Sequence, residues 1–146
     1  MKILLFLPLA LLVAACAEQS GPQYPKNRPE FREGNRGLDG PQSVELVVGN
    51  TVEGRYTATE GVFVDYFAPD GRFVSREPDG AIYRGRWKAR YTEFCIEYDD
   101  HPHLAHQRCF SFWEKDGRYS SFRPGGAGFY DIDFITPGNV KNLPLE

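Results

Sequence analysis

The run Ile82-Tyr83-Arg84-Gly85-Arg86-Trp87-Lys88-Ala89-Arg90, followed by Glu93-Phe94-Cys95-Ile96-Glu97-Tyr98, alternates between two kinds of side chain. Tyr83, Gly85, Trp87 and Ala89 are aromatic or small, while Arg84, Arg86, Lys88 and Arg90 between them are basic. Phe94, Ile96 and Tyr98 alternate in the same way with Glu93, Cys95 and Glu97. Successive side chains of a β-strand point to opposite faces, so a period of two gives each segment one ring-lined face and one charged face. Setting Trp87 opposite Phe94 in an antiparallel hairpin brings Tyr83 opposite Tyr98 on the buried face. On the other face it brings Arg84 opposite Glu97 and Lys88 opposite Glu93. A slip of one residue would spoil both faces. The connection is then the four residues 89–92, because a two-residue turn at Arg90-Tyr91 would need positive φ from two bulky residues.

The same texture extends over most of the chain. Asp70-Gly71, Asp79-Gly80, Asp116-Gly117, Pro124-Gly125-Gly126 and Pro137-Gly138-Asn139 are turn signals between runs rich in Val, Ile, Phe, Tyr and Trp. They predict strands near 52–57, 61–67, 72–77, 81–89, 93–98, 107–114, 118–123 and 129–135. One short helix is predicted over 41–48, with Asp39 as N-cap, Gln42 three residues on, Pro41 in the first turn, and Gly49-Asn50 as the stop. Short connections favour an antiparallel up-and-down meander. The expected fold is therefore all-β, with about eight strands closed into a small barrel, or left as a strongly curled sheet capped by the helix. Eighteen of the 21 aromatic residues fall within 41–146, so rings must build most of the core.

Two cysteines, Cys95 and Cys109, lie on neighbouring predicted strands. Pairing them sets Phe94 opposite Phe110 and predicts a disulfide on the face away from the core. A reactive thiol pair is the alternative, but no C-x-x-C spacing is present to depress a pKa. All three histidines fall between these cysteines, in Asp99-Asp100-His101-Pro102-His103-Leu104-Ala105-His106. His101, His103 and His106 are candidate ligands for Zn(II) or Cu(II), since neutral imidazole binds both. The competing reading is a solvated hairpin tip. The stripe Arg84, Arg86, Lys88 and Arg90 is either a surface for acidic polysaccharide or phospholipid headgroups or a charge ladder neutralised by neighbouring glutamates.

Residues 1–15 carry Lys2, the apolar stretch 3–12 and small residues before Cys16, which is the layout of a secretory signal peptide. Val13-Ala14-Ala15-Cys16 resembles the lipobox of bacterial lipoproteins. That resemblance implies cleavage before Cys16, acylation of its thiol and new amino terminus, and anchorage to the lipid bilayer facing the periplasm. Multiple acyl chains hold durably where one is marginal. Ala17 after the Cys points to the outer membrane rather than the inner. Residues 16–40 hold Pro22, Pro25 and Pro29, with Lys26, Arg28, Arg32 and Arg36 matched by Glu18, Glu30, Glu33 and Asp39. This composition predicts a disordered tether leading to a domain at 41–146.

Gly49-Asn50-Thr51-Val52-Glu53-Gly54, Ala68-Pro69-Asp70-Gly71, Tyr83-Arg84-Gly85-Arg86-Trp87, Phe94-Cys95-Ile96-Glu97-Tyr98, Cys109 and Pro137-Gly138-Asn139 together resemble a loose group of small lipocalin-like bacterial envelope proteins of unknown function. The resemblance implies a fold and no catalytic residue. A formal charge of -3 argues against a nucleic-acid partner. No G-x-S-x-G, P-loop or G-x-G-x-x-G motif is present, so an enzyme is not expected. Carboxylates such as Asp65, Asp70, Asp131 and Asp133 leave acid–base chemistry unsupported by any visible pairing. The expected function is a non-catalytic binding or interaction module for an envelope protein or a small apolar ligand. Metal binding by the histidine loop, or an enzyme of unrecognised type, is the alternative.

Overall fold

Asp39 begins the first helical turn among the described residues in the way its sequence context dictates. Its carboxylate accepts from the Gln42 amide at 2.8 Å, and the Gln42 side chain accepts from the Asp39 amide at 3.0 Å. This reciprocal capping box satisfies two of the otherwise unpaired N–H groups at a helix start. The computed structural model describes residues 36–91, 93–102, 107–122 and 129–146. In it α1 spans Gly40–Val47, one residue ahead of the expected span, and Gly49 leaves the helix at φ +78°. Arg36–Gly37 forms a short strand, β1, outside the predicted set. The leader and Cys16 lie outside the described residues.

Eight further strands follow: β2 Asn50–Tyr56, β3 Val62–Phe67, β4 Arg72–Arg76, β5 Ile82–Ala89, β6 Phe94–Tyr98, β7 Arg108–Lys115, β8 Arg118–Phe122 and β9 Phe129–Pro137. Each pairs antiparallel with its sequence neighbour, and β9 returns to pair with β2, so the sheet closes into an eight-stranded barrel. The sheet closes, rather than forming the curled open alternative, and so has no edge strand among β2–β9. β1 adds a ninth strand beside β7.

Register obeys the expected parity but not the expected pairs. Ala89, not Trp87, stands opposite Phe94; Trp87 faces Ile96, and Gly85 faces Tyr98. The strands have slid by two residues, which keeps every side chain on its face. The connection is correspondingly tighter, with the Arg90 amide bonded to the Glu93 carbonyl at 2.7 Å. Gly85 explains the choice: a Cβ there would lie 2.0 Å from the Glu97 carbonyl oxygen, so only glycine permits this close approach. Trp87 still stacks on Phe94, as a diagonal neighbour, at 5.3 Å and 14°. Glu97 consequently faces Arg86, and Lys88 faces Cys95. Arg84 turns instead to Asp100, 3.7 Å away, and to the Pro144 carbonyl.

The barrel interior is a chain of rings. Phe94 contacts Phe67, Phe110 and Phe112 at 5.2–5.9 Å, and Phe110 leads on to Tyr130. Such pairs add about 0.5–1.5 kcal/mol each beyond simple burial. α1 closes one end of the barrel. The Leu38 amide bonds to the Phe112 carbonyl, Gly40 to Tyr91 and Gly49 to Phe67, while Val47 is fully buried in the core. The C-terminal residues, for which no element was expected, strap the outer face. Leu143 packs on Val64 and Val74, held by two hydrogen bonds between its backbone and the Asn139 amide.

Candidate functional site

Inward-facing positions at the end opposite α1 change character from apolar to polar. β3 presents Phe63, Asp65 and Phe67 to the interior, because Asp65 pairs with Val52 on one side and Ser75 on the other. Ser75 is itself buried. Two residues further along, where β4 gives way to the turn toward β5, Glu77 accepts from the Tyr56 hydroxyl at 2.8 Å and from the Ser75 hydroxyl at 3.4 Å. Asp65, Ser75, Glu77 and Tyr56 thus come from three adjacent strands to one spot. Tyr98 on β6 and Tyr130 on β9 complete the polar lining, and Tyr56, Phe63 and Tyr130 touch one another at 5.1–5.8 Å.

The electrostatics follow from burial. Desolvation pushes the Asp65 carboxyl up from 3.8 to about 8; the Ser75 hydroxyl bonded to it pulls it down, and the Glu77 charge raises it further. Asp65 is therefore mostly protonated at neutral pH, a carboxylic acid among rings. Burial likewise raises the Tyr56 and Tyr98 hydroxyls, and both carboxylates add to it. Among the described residues Asp65 Oδ1 is shut off from solvent with no hydrogen-bond partner. A buried acceptor left unpaired costs about 1–3 kcal/mol, and proteins tolerate few. Beside it a void of about 10 Å³ is enclosed by Asp65, Tyr130, four phenylalanines, Val52 and Ile132.

The other candidate residues go elsewhere. Cys95 and Cys109 form the expected disulfide in the expected register, with Phe94 opposite Phe110. It lies on the outward-facing parity, although Cys95 is only 1% exposed. His101 packs its ring against Tyr83 at 4.1 Å and Tyr98 at 5.2 Å, beside the polar end of the barrel. His103 and His106 lie outside the described residues. Among the described residues one grouping has the spacing of a metal centre, Glu93 with Cys95 and Cys109, and its two sulfurs are bonded to each other. Of the basic stripe, Arg84 is met by Asp100, Arg86 faces Glu97, and Arg90 bonds to Gln107. Asp70 pairs with Arg72 and Asp133 with Arg55, both on the surface, and Asp131 is exposed there.

The Tyr56–Glu77–Ser75–Asp65 cluster was missed from sequence, yet it left a trace. A carboxylate midway between Phe63 and Phe67 breaks an otherwise apolar parity, which is unusual unless paired or used. Comparison of the chain with protein-family models, curated proteins and solved structures finds no match in any of the three.

Proposed function

We propose that this chain is a lipid-anchored protein of the bacterial envelope, held by Cys16 and facing the periplasm, whose barrel is a non-catalytic binding module. The ligand is received at the end opposite α1. One observation carries the reading: Asp65, a carboxyl kept inside a ring-lined barrel with one oxygen unpartnered. Such a group is costly to bury, and strongly perturbed carboxyls in concave, aromatic surroundings cluster at functional sites.

Catalysis is the weaker reading. A protonated Asp65 beside Glu77 would suit acid–base chemistry, but the void at Asp65 has room for about one water-sized group.

Ring resonances of tyrosine test the proposal. A fragment collection of neutral, anionic and cationic small molecules is added to the mature chain, and hits are expected to move Tyr56, Tyr98 and Tyr130 together. A collection that leaves all three unmoved overturns the binding site. Separately, mass spectrometry of membrane-extracted protein is expected to find lipid on Cys16, with Cys16→Ser releasing the protein in soluble form; unmodified Cys16 overturns the anchor.

A further inference from the structure

We propose that Asp65 is the counter-ion of a buried ammonium site, in which NH4+ sits in the void among the rings of Phe63, Phe67, Phe110, Phe112 and Tyr130. This rests on the binding reading above and names the ligand's chemistry.

Size makes the first selection. About 10 Å³ is room for one water-sized group, which admits NH4+ and excludes an amine that carries carbon. The lining makes the second. Of its eight residues five are aromatic, one is a carboxylic acid and two are aliphatic. A water molecule there would want two to four polar partners, whereas ring faces and a carboxylate both attract a cation. The third is the unpartnered Oδ1 of Asp65, which a donor such as N–H completes.

Charge around the site leans the same way. From the turn after β4 Glu77 contributes a carboxylate; from β2, β6 and β9 come the hydroxyls of Tyr56, Tyr98 and Tyr130; Ser75 lies between the two acids. Arg108 on β7 is the opposing cation, near enough to lower the Tyr98 hydroxyl, and His101 stands at the rim against Tyr83. Binding is a proton exchange: the neutral Asp65 carboxyl releases H+ to solvent as NH4+ enters, and the ion pair forms in its place. Because Asp65 is held up to about 8 in the empty barrel, affinity rises with pH between 6 and 8, where ammonium keeps its charge.

The test follows the Asp65 side-chain carboxyl carbon by NMR in the mature chain at pH 7. Ammonium chloride is compared with tetramethylammonium chloride and sodium chloride at equal ionic strength. Ammonium is expected to drive the Asp65 signal to its ionised position, lowering its midpoint by at least one pH unit. The two control salts are expected to leave it in place. Asp65→Asn should abolish the accompanying Tyr130 ring shift, and Glu77→Gln should weaken it several-fold. An equal response to tetramethylammonium, or none to ammonium, overturns the assignment, as does a bound water alone seen as a contact to Asp65. If neutral or anionic fragments move the tyrosine rings while ammonium does not, the ammonium assignment falls and the binding site stands. Silence from every compound overturns both.

Discussion

Replacing Asp65 with Asn asks whether the carboxyl inside the barrel is kept at the expense of stability. In the folded chain it titrates near 8, against 3.8 for an unburied aspartate. A folded-state pKa above the unfolded value means that the folded protein holds a proton which the unfolded chain has already lost. Stability from this group is therefore full below about pH 4, falls as pH rises towards 8, and levels off beyond. Each pH unit of the interval is worth about 1.4 kcal/mol, so the whole decline is on the order of 5 kcal/mol, with roughly 4 kcal/mol of it reached by pH 7. That is a large share of a typical total of about 5–15 kcal/mol. Asparagine has nearly the same shape and no proton to lose. Urea unfolding of both proteins at pH 4, 5, 6, 7 and 8 isolates the effect, because the neutral exchange itself is measured at pH 4 and subtracted. The variant's advantage over the parent should widen steadily up to pH 8 and then hold. Two stability curves that stay parallel from pH 4 to 8, within about 1 kcal/mol, would refute the burial of an ionisable group at Asp65 and remove the main support for a site there.

Three further outcomes bear on the frame that carries the site. Reducing Cys95–Cys109, or replacing both by Ala, should cost about 3 kcal/mol, since the bridge closes a loop spanning 14 positions; an unchanged urea midpoint with and without reductant would contradict this. Gly85→Ala forces a Cβ to within 2.0 Å of the Glu97 carbonyl oxygen, and a loss of about 3 kcal/mol is expected from the displaced strand. Thermal unfolding at the parent temperature would show the observed register to be wrong. Asp39→Ala removes one half of the capping box and should cost about 1 kcal/mol. Hydrogen exchange at Gln42, which donates to Asp39, should accelerate while β5 and β6 stay protected; uniform protection would mean that the cap contributes nothing.

How far the sequence could be read depends on which signals were local. Strand parity is local: alternation at Tyr83–Ala89 and Phe94–Tyr98 sorts inside from outside whatever the partner strand does, so the faces, the helix cap at Asp39 and the Cys95–Cys109 pairing were all legible. The pairing within β5–β6 was not. A slide of two residues preserves every face, and the choice is set by how closely the backbone of Glu97 approaches Gly85, a distance between strands. β1 was hidden because two residues carry no periodicity, and it forms only because β7 offers a free edge near Trp113. The C-terminal strap escaped for a similar reason: Leu143 has no pattern around it, and its seat on Val64 and Val74 exists only once the barrel has assembled.

Composition and alternation by themselves determined an antiparallel, ring-cored β-domain with one capped helix, because these follow from the period of the strand and the hydrogen-bonding needs of a helix start. Tertiary structure alone decided that the sheet closes on itself. The β2–β3–β4 pairing gathers Tyr56, Asp65, Ser75 and Glu77 into one place, and closure through β9 brings Tyr130 against them. The sequence puts a carboxylate on the inner face. Only the closed barrel packs rings around it and shuts Oδ1 off from solvent, and so gives Asp65 its altered acidity.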